Sequence, residues 1–294
     1  MNFLIWGILA RAKQLYDVKV CHFLFMANHF HMMLVVSNPD DVPGFVGYVK
    51  AETAHAINQL IGRRTKRIWI NGYDSPCILT VKDVIRYIRY IYLNPVVAGL
   101  VNSIDEYPGV SSWPMFKSGN HNKLCKHLKR PMVKRLSHPA LTVNEQKAIV
   151  EHYQCIAKVQ YEFILEPNAW MDCFPGLTAK EIKRLNALCL ELIQTRERKL
   201  RKERFDNHSE VLGSTVLRRQ SMLKEYSSKK FSPKMVCLSS DVELRIRFIH
   251  TYKALCDKAR EVYQAWKHGN LSLRIPPGLF APRLPTLVCA YGLT

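Results

Sequence analysis

Thr80-Val-Lys-Asp-Val-Ile-Arg-Tyr-Ile-Arg-Tyr-Ile-Tyr-Leu-Asn-Pro-Val-Val-Ala-Gly-Leu-Val101 is the stretch from which the rest of the chain is read. Thr80 followed by Asp83 resembles a capping box, with Asp in place of the usual Glu or Gln, and opens a helix. Pro95 disfavours the α conformation at Asn94, so the helix is expected to end there. At about 100° per residue, Val84, Ile88 and Ile91 share a core-facing side. Tyr87, Tyr90 and Asn94 fall within about 60° of one another on a second side. A phenol at Tyr90 and a carboxamide at Asn94 can therefore address one point. Tyrosines on a helix flank also serve as plain amphipathic packing, so the helix alone leaves both readings open. Tyr92 lies about 160° from Tyr90 and should pack inward. Tyr87 is nearer to Asn94 in angle, about 20° away, but Tyr90 is nearer along the axis, about 6 Å against about 10 Å.

Upstream, residues 18–26 alternate as a strand does, Ala27-Asn28 reads as a turn, and residues 29–36 read as the returning strand. Alternate side chains of a strand share a face, which places His29 and His31 on one side with Cα atoms roughly 6.6 Å apart. Two imidazoles so placed can chelate one metal ion, although a His-x-His pair is also common in ordinary surfaces and cores. Residues 1–16 read as an amphipathic helix and 38–44 as a loop. Residues 45–61 read as a helix with Val46, Val49, Thr53, Ile57 and Leu60 on its apolar side. Arg63, Arg64, Lys66 and Arg67 form a basic run between these elements, where a phosphate backbone would pass, and residues 68–73 read as a short strand and turn.

The formal net charge of +19 over 294 residues favours a polyanionic partner, nucleic acid first. The nine cysteines show no Cys-x-x-Cys pair and read as reduced thiols. The apolar start, Met-Asn-Phe-Leu-Ile-Trp-Gly-Ile-Leu-Ala, runs into Arg11 and Lys13 and is too short to span a bilayer. A cytoplasmic protein without membrane partners is expected.

From about residue 119 the character changes. Residues 121–135 read as a basic connector. Capping-box patterns at Thr142/Glu145, Thr178/Glu181 and Ser240/Glu243 open three helical runs, the second reaching about Arg204 and the third about Lys267. The charges of residues 196–204 alternate in sign, as on a solvated helix face. Residues 205–240 read as a linker, and residues 275–285 as an extended tail packed along a surface.

Met26-Ala-Asn-His-Phe-His-Met-Met-Leu-Val-Val resembles the Pro-Asn-His-x-His signature of the HUH single-tyrosine transposases. Tyr90-Ile-Tyr-Leu-Asn-Pro-Val-Val-Ala-Gly-Leu-Val resembles the Tyr-Ile-x-Leu-Asn-Pro-Val-Arg-Ala-Gly-Leu-Val segment of their REP-associated branch. Tyr107-Pro with Ser111-Ser-Trp resembles the ending of the same region, with one residue more between its parts. The resemblance implies an α+β fold, a ferredoxin-like antiparallel sheet with helices, over residues 1–118. A basic, mainly helical C-terminal extension follows over residues 119–294. The family opens with a strand before its first helix; here Met1 stands at that helix, so this strand is expected to be missing. Val97 replaces the Arg of the motif.

The resemblance also implies roles. His29 and His31 would be metal ligands with Asn94 completing the site, Phe30 would turn into the core, and Tyr90 would be the nucleophile. The expected activity is that of a DNA transposase and metal-dependent single-strand endonuclease, with Mg2+ or Mn2+ as cofactor. It would form a 5′-phosphotyrosine on single-stranded or hairpin DNA, as a monomer or homodimer. Two other readings stand beside it: a degenerate transposase that binds DNA without cutting it, and a metal-dependent phosphoesterase without a covalent step.

Overall fold

The computed structural model describes residues 1–60, 67–129, 143–220, 235–280 and 282–285. Helix α1 (Asn2–Leu15) leads into strand β1 (Val18–Phe25), which pairs antiparallel with β2 (Phe30–Val36). The hairpin register sets Phe25 opposite Phe30 and Leu24 opposite His31, with a bulge between Val20 and His22 that leaves Cys21 without a partner across the ladder. Below the bulge the two faces are distinct. Phe23 meets Trp6 of α1 edge-on, with ring centroids 5.4 Å apart, and Phe30 stacks on Phe25 at 5.1 Å. The opposite face, carrying His22 and His31, receives α3 (Val81–Val97).

Helix α2 (Asp41–Leu60) packs on α1 and begins four residues before the expected start. Pro43 does not prevent this, because a first-turn N–H has no intrahelical partner to lose, and Asp41 suits the positive end of the helix. Residues 68–73 are not a strand. Lys50 Nζ donates to the carbonyls of Ile70 and Gly72, at 2.8 and 2.7 Å, and holds the segment irregular. The strand is β3 (Cys77–Ile78), further on, and its partner is the parallel β6 (Cys237–Leu238).

Helix α3 does not stop at Pro95. It runs to Val97, and the stop is Gly99, whose φ of +67° needs a residue without Cβ. Leu100 N–H reaches the Pro95 carbonyl at 2.9 Å and Gly99 N–H the Val96 carbonyl at 3.0 Å, the two bonds of a Schellman ending. Pro95 is buried in the last turn, where the loss of one N–H is offset by packing and by this ending.

The C-terminal region holds α4 (Trp113–Ser118), β4 (Asn122–His127), α5 (Val143–Ile156), β5 (Val159–Ile164), α6 (Ala179–Asp206), α7 (Ser214–Arg218) and α8 (Val242–Lys267). The expected basic connector is thus partly strand β4, paired antiparallel with β5 against α1. Gly7 permits this approach, since a Cβ there would lie 2.4 Å from the Lys126 carbonyl oxygen. Thr178 and Glu181 form the expected capping box, whereas α8 is capped by Asp241 and not Ser240; Thr142 lies outside the described residues. The expected linker contains α7 and β6, and its residues 221–234 lie outside the described residues.

One apolar cluster runs through residues on both sides of position 118. Phe163 of β5 meets Trp6 at 5.4 Å and Phe23 at 5.7 Å, and Leu165, Trp170, Cys189 and Ile193 are buried in the same cluster. The expected α+β class is observed. Among the described residues the strands form three two-stranded sheets and not one ferredoxin-like sheet. The second edge of β1 is occupied by irregular chain, with Phe25 N–H on the Val110 carbonyl (2.8 Å), Ser112 N–H on Phe23 (3.0 Å) and Glu166 N–H on Val20 (2.9 Å). Among the described residues no helix is long and apolar enough to cross a membrane.

Candidate functional site

His29 is the last residue of the turn, where the strand was expected to start, and β2 begins one residue later. It comes together with His31 of β2 and with Tyr90 and Asn94, one helical turn apart on α3. The His29 and His31 rings meet edge-on with centroids 4.9 Å apart. Asn94 donates from Nδ2 to His31 Nε2 at 3.1 Å, and the Tyr90 ring stands 5.1 Å from the His31 ring. The hydrogen bonds assign the tautomers. His29 donates from Nδ1 to Asn28 Oδ1 at 2.7 Å, which leaves its Nε2 lone pair free, and His31 Nε2 accepts from Asn94. Asn28 carries the orienting contact and was read in the sequence only as a turn residue; its place directly before His29 was the available signal.

Electrostatics keep both imidazoles in the form that binds metal. Burial pushes the His29 pKa down. Burial, and then the neighbouring His29, push His31 down to about 4. A metal ion would thus find the free Nε2 of His29 and, once the Asn94 amide turns away, the Nε2 of His31. Among the described residues no cluster of three or more His, Cys, Asp or Glu side chains could hold a metal ion; beside the two histidines, the carboxamide of Asn94 is the group that could serve as a third ligand. Its Oδ1 is the suitable atom, and an amide reversal brings it to the side now occupied by Nδ2. The residues fit a hard divalent cation that retains open positions.

The three tyrosines of α3 separate by environment. Tyr92 is fully buried, as its helical angle predicted, and its hydroxyl shares hydrogen bonds with His22 Nδ1 (2.7 Å) and Ser112 Oγ (2.9 Å). Tyr87 is half-buried, and burial followed by the proximity of Tyr90 pushes its pKa up to about 12. Tyr90 is 51% exposed, with its ring stacked on Tyr87 at 5.7 Å. Phe30 turns inward, packed on Phe25 and 5.3 Å from Trp69.

The segment after α3 supports this site from behind. The Tyr107 hydroxyl donates to the Phe25 carbonyl at 2.9 Å, and Ser112 Oγ accepts from Phe23 N–H at 2.8 Å. Val97, where the resembled motif has Arg, is exposed; the cation at this helix end is Arg204 of α6, whose guanidinium donates to the Val96 carbonyl. Of the basic run, Arg67 is exposed, and Arg63, Arg64 and Lys66 lie outside the described residues. On α6, Arg196 pairs with Glu203 and Arg201 with Glu197.

Comparison with curated proteins and with solved structures returned no match. Residues 3–92 match the family model described as Transposase IS200 like. That span takes in α1, the β1–β2 hairpin, α2 and α3 as far as Tyr92, and so includes His29, His31 and Tyr90, while Asn94 lies just beyond it. The similarity to the IS200-like transposase family thus lies in residues 3–92, the part of the chain that holds the hairpin and most of α3.

Proposed function

We propose that the protein is a transposase that nicks and rejoins single-stranded DNA through a 5′-phosphotyrosine on Tyr90. The observation that carries this reading is the meeting of His29, His31, Tyr90 and Asn94 at one point from a hairpin and a helix. His29, His31 and Asn94 would hold Mg2+ or Mn2+. When bound, such an ion polarises the scissile phosphate and neutralises developing charge.

The chain's own residues supply the rest. Asn28 fixes the ring of His29, and Asn94 fixes that of His31. Tyr90, open to solvent, can release its phenolic proton to water as its oxygen forms the new bond to phosphorus. The bond to the 3′ oxygen breaks, and that oxygen takes up a proton to leave a free 3′-OH. A second strand's 3′-OH reverses the step without a nucleoside triphosphate, because the phosphotyrosine keeps the phosphate activated. Tyr87 is the weaker candidate nucleophile, since burial disfavours its phenolate. The basic run at Arg63, Arg64, Lys66 and Arg67 would follow the phosphate backbone. The resemblance of Tyr90–Val101 to the REP-associated segment would make hairpin or repeat DNA the substrate.

The test is a denaturing gel of protein incubated with labelled single-stranded hairpin DNA and Mg2+ or Mn2+. A covalent adduct is expected from the native protein and from Tyr87→Phe, and none from Tyr90→Phe or from the His29→Ala/His31→Ala double variant. An adduct that survives in Tyr90→Phe and is lost in Tyr87→Phe would move the nucleophile by one turn. Cleavage without both histidines would remove the metal assignment. DNA binding with no adduct from the native protein would favour the degenerate, binding-only reading.

A further inference from the structure

Both ends of α3 are fastened by residues far away in sequence. At its carboxyl end, the Arg204 guanidinium donates to the Val96 carbonyl, a contact spanning 108 positions. Leu212 N–H and Gly213 N–H reach the carbonyls of Gly99 and Leu100, at 3.0 and 2.9 Å. At its amino end, Ser240 N–H donates to Asp83 Oδ1 at 2.9 Å, across 157 positions. Leu79 N–H donates to the Leu238 carbonyl at 3.2 Å, and β3 pairs with β6 just before the Thr80 cap. Between these tethers α6 lies along α3, with Cys189, Ile193 and Leu200 buried in the shared core.

We propose that Arg204, Leu212 and Gly213 at one end and Leu238 and Ser240 at the other form a two-point clamp that fixes α3 along its axis over the β1–β2 hairpin, with Arg204 as its main positioning residue. The proposal rests on the function given above. On the core face the buried Tyr92–His22 hydrogen bond ties α3 to the hairpin, while on the site face the contacts are the Asn94–His31 hydrogen bond and the Tyr90–His31 ring contact. The tether at the carboxyl end also suits the helix dipole, since the Arg204 guanidinium donates to the Val96 carbonyl at the negative end; at the amino end Ser240 N–H holds Asp83, the acid of the helix's own first turn. Asn94 lies in the last turn, directly before the carbonyls that Arg204, Leu212 and Gly213 hold. Release of that end lets the last turn fray, and a displacement of about 1 Å in a reacting group costs up to about 100-fold in rate.

The experiment compares full-length Arg204→Ala and Arg204→Lys with the native protein by three measurements. These are amide hydrogen exchange over residues 94–100, the single-turnover rate of adduct formation at saturating hairpin DNA, and the DNA Kd. In Arg204→Ala, exchange at Ala98, Gly99 and Leu100 is expected to be about tenfold faster, from the loss of one charge-assisted hydrogen bond. The adduct rate is expected to fall about 10- to 100-fold with Kd unchanged. Arg204→Lys, which keeps the cation, should restore most of both. Unchanged exchange would overturn the clamp, and a weaker Kd with an unchanged rate would make Arg204 a DNA contact instead. If Arg204→Ala does not fold, Arg204→Gln carries the same comparison. Faster exchange in a protein whose native form makes no adduct would overturn the proposed function and leave the clamp standing.

Discussion

Removal of the same hydroxyl at two positions of α3 should have opposite consequences. The Tyr92 hydroxyl bonds His22 Nδ1 and Ser112 Oγ where all three residues are fully buried. Tyr92→Phe keeps the ring against Trp113 and Phe116, at 5.1 and 5.9 Å, and changes helix propensity little. Ser112 Oγ retains its bonds with Phe23 N–H and the Phe23 carbonyl, at 2.8 and 3.2 Å. His22 Nδ1 alone is stranded, so the cost is that of one buried unsatisfied group, about 1–3 kcal/mol. Tyr90→Phe removes a half-exposed hydroxyl and should stay within about 0.5 kcal/mol of the native protein. Urea unfolding, read as a midpoint change at constant slope, measures both. The adduct assay supplies the second axis: Tyr92→Phe should retain the adduct and Tyr90→Phe should lose it. A Tyr92→Phe protein as stable as the native one would refute the buried network. A Tyr90→Phe protein destabilised by more than about 1 kcal/mol would show that Tyr90 is a packing residue.

Three further outcomes are expected. Replacement of Arg63, Arg64, Lys66 and Arg67 by Gln should lower the slope of log affinity against log salt by about 3, at roughly 0.7 per phosphate contact on single strands; an unchanged slope would remove the run from the DNA path. Burial pushes the His22 pKa down from 6.5 to about 3, with the Pro167 backbone pulling weakly the other way. Because the unfolded chain takes up that proton first, the contribution to stability is complete above pH 6.5 and is lost as pH falls towards 3. The stability advantage of the native protein over His22→Gln should therefore shrink below pH 6.5, at up to about 1.4 kcal/mol per pH unit, as read from urea midpoints. Phe163→Ala should cost about 3–5 kcal/mol and be sensed by Trp6 fluorescence, since Phe163 is fully buried against that ring; a value near zero would separate the C-terminal region from the core.

Backbone periodicity accounts for the parts of the site that could be read from the residues alone. His29 and His31 share a face because strand side chains alternate, and Tyr90 and Asn94 share one because four residues make about one helical turn. The same arithmetic sent Tyr92 inward, to His22 and Ser112. It also opened α3 at Thr80 and α6 at Thr178, where the cap bonds reach only three residues ahead. Pro95 shows where local rules stop. Its effect on the chain was legible, but whether the helix could absorb it depended on burial of the ring and on the Gly99–Leu100 ending.

What covers the helix and the hairpin depends on long-range packing. Nothing near Val96 announces Arg204, and nothing near Asp83 announces Ser240, because these bonds join segments separated by long stretches of chain and leave no periodic trace. Strand β4 reads locally as a polar, basic run. It is a strand because β5 offers it a ladder and because Gly7 lets both approach α1. Residues 68–73 have strand-like composition but pair with no strand among the described residues, and Lys50 ties the Ile70 and Gly72 carbonyls instead. A strand needs a partner as well as a propensity, and the partner is chosen by the fold.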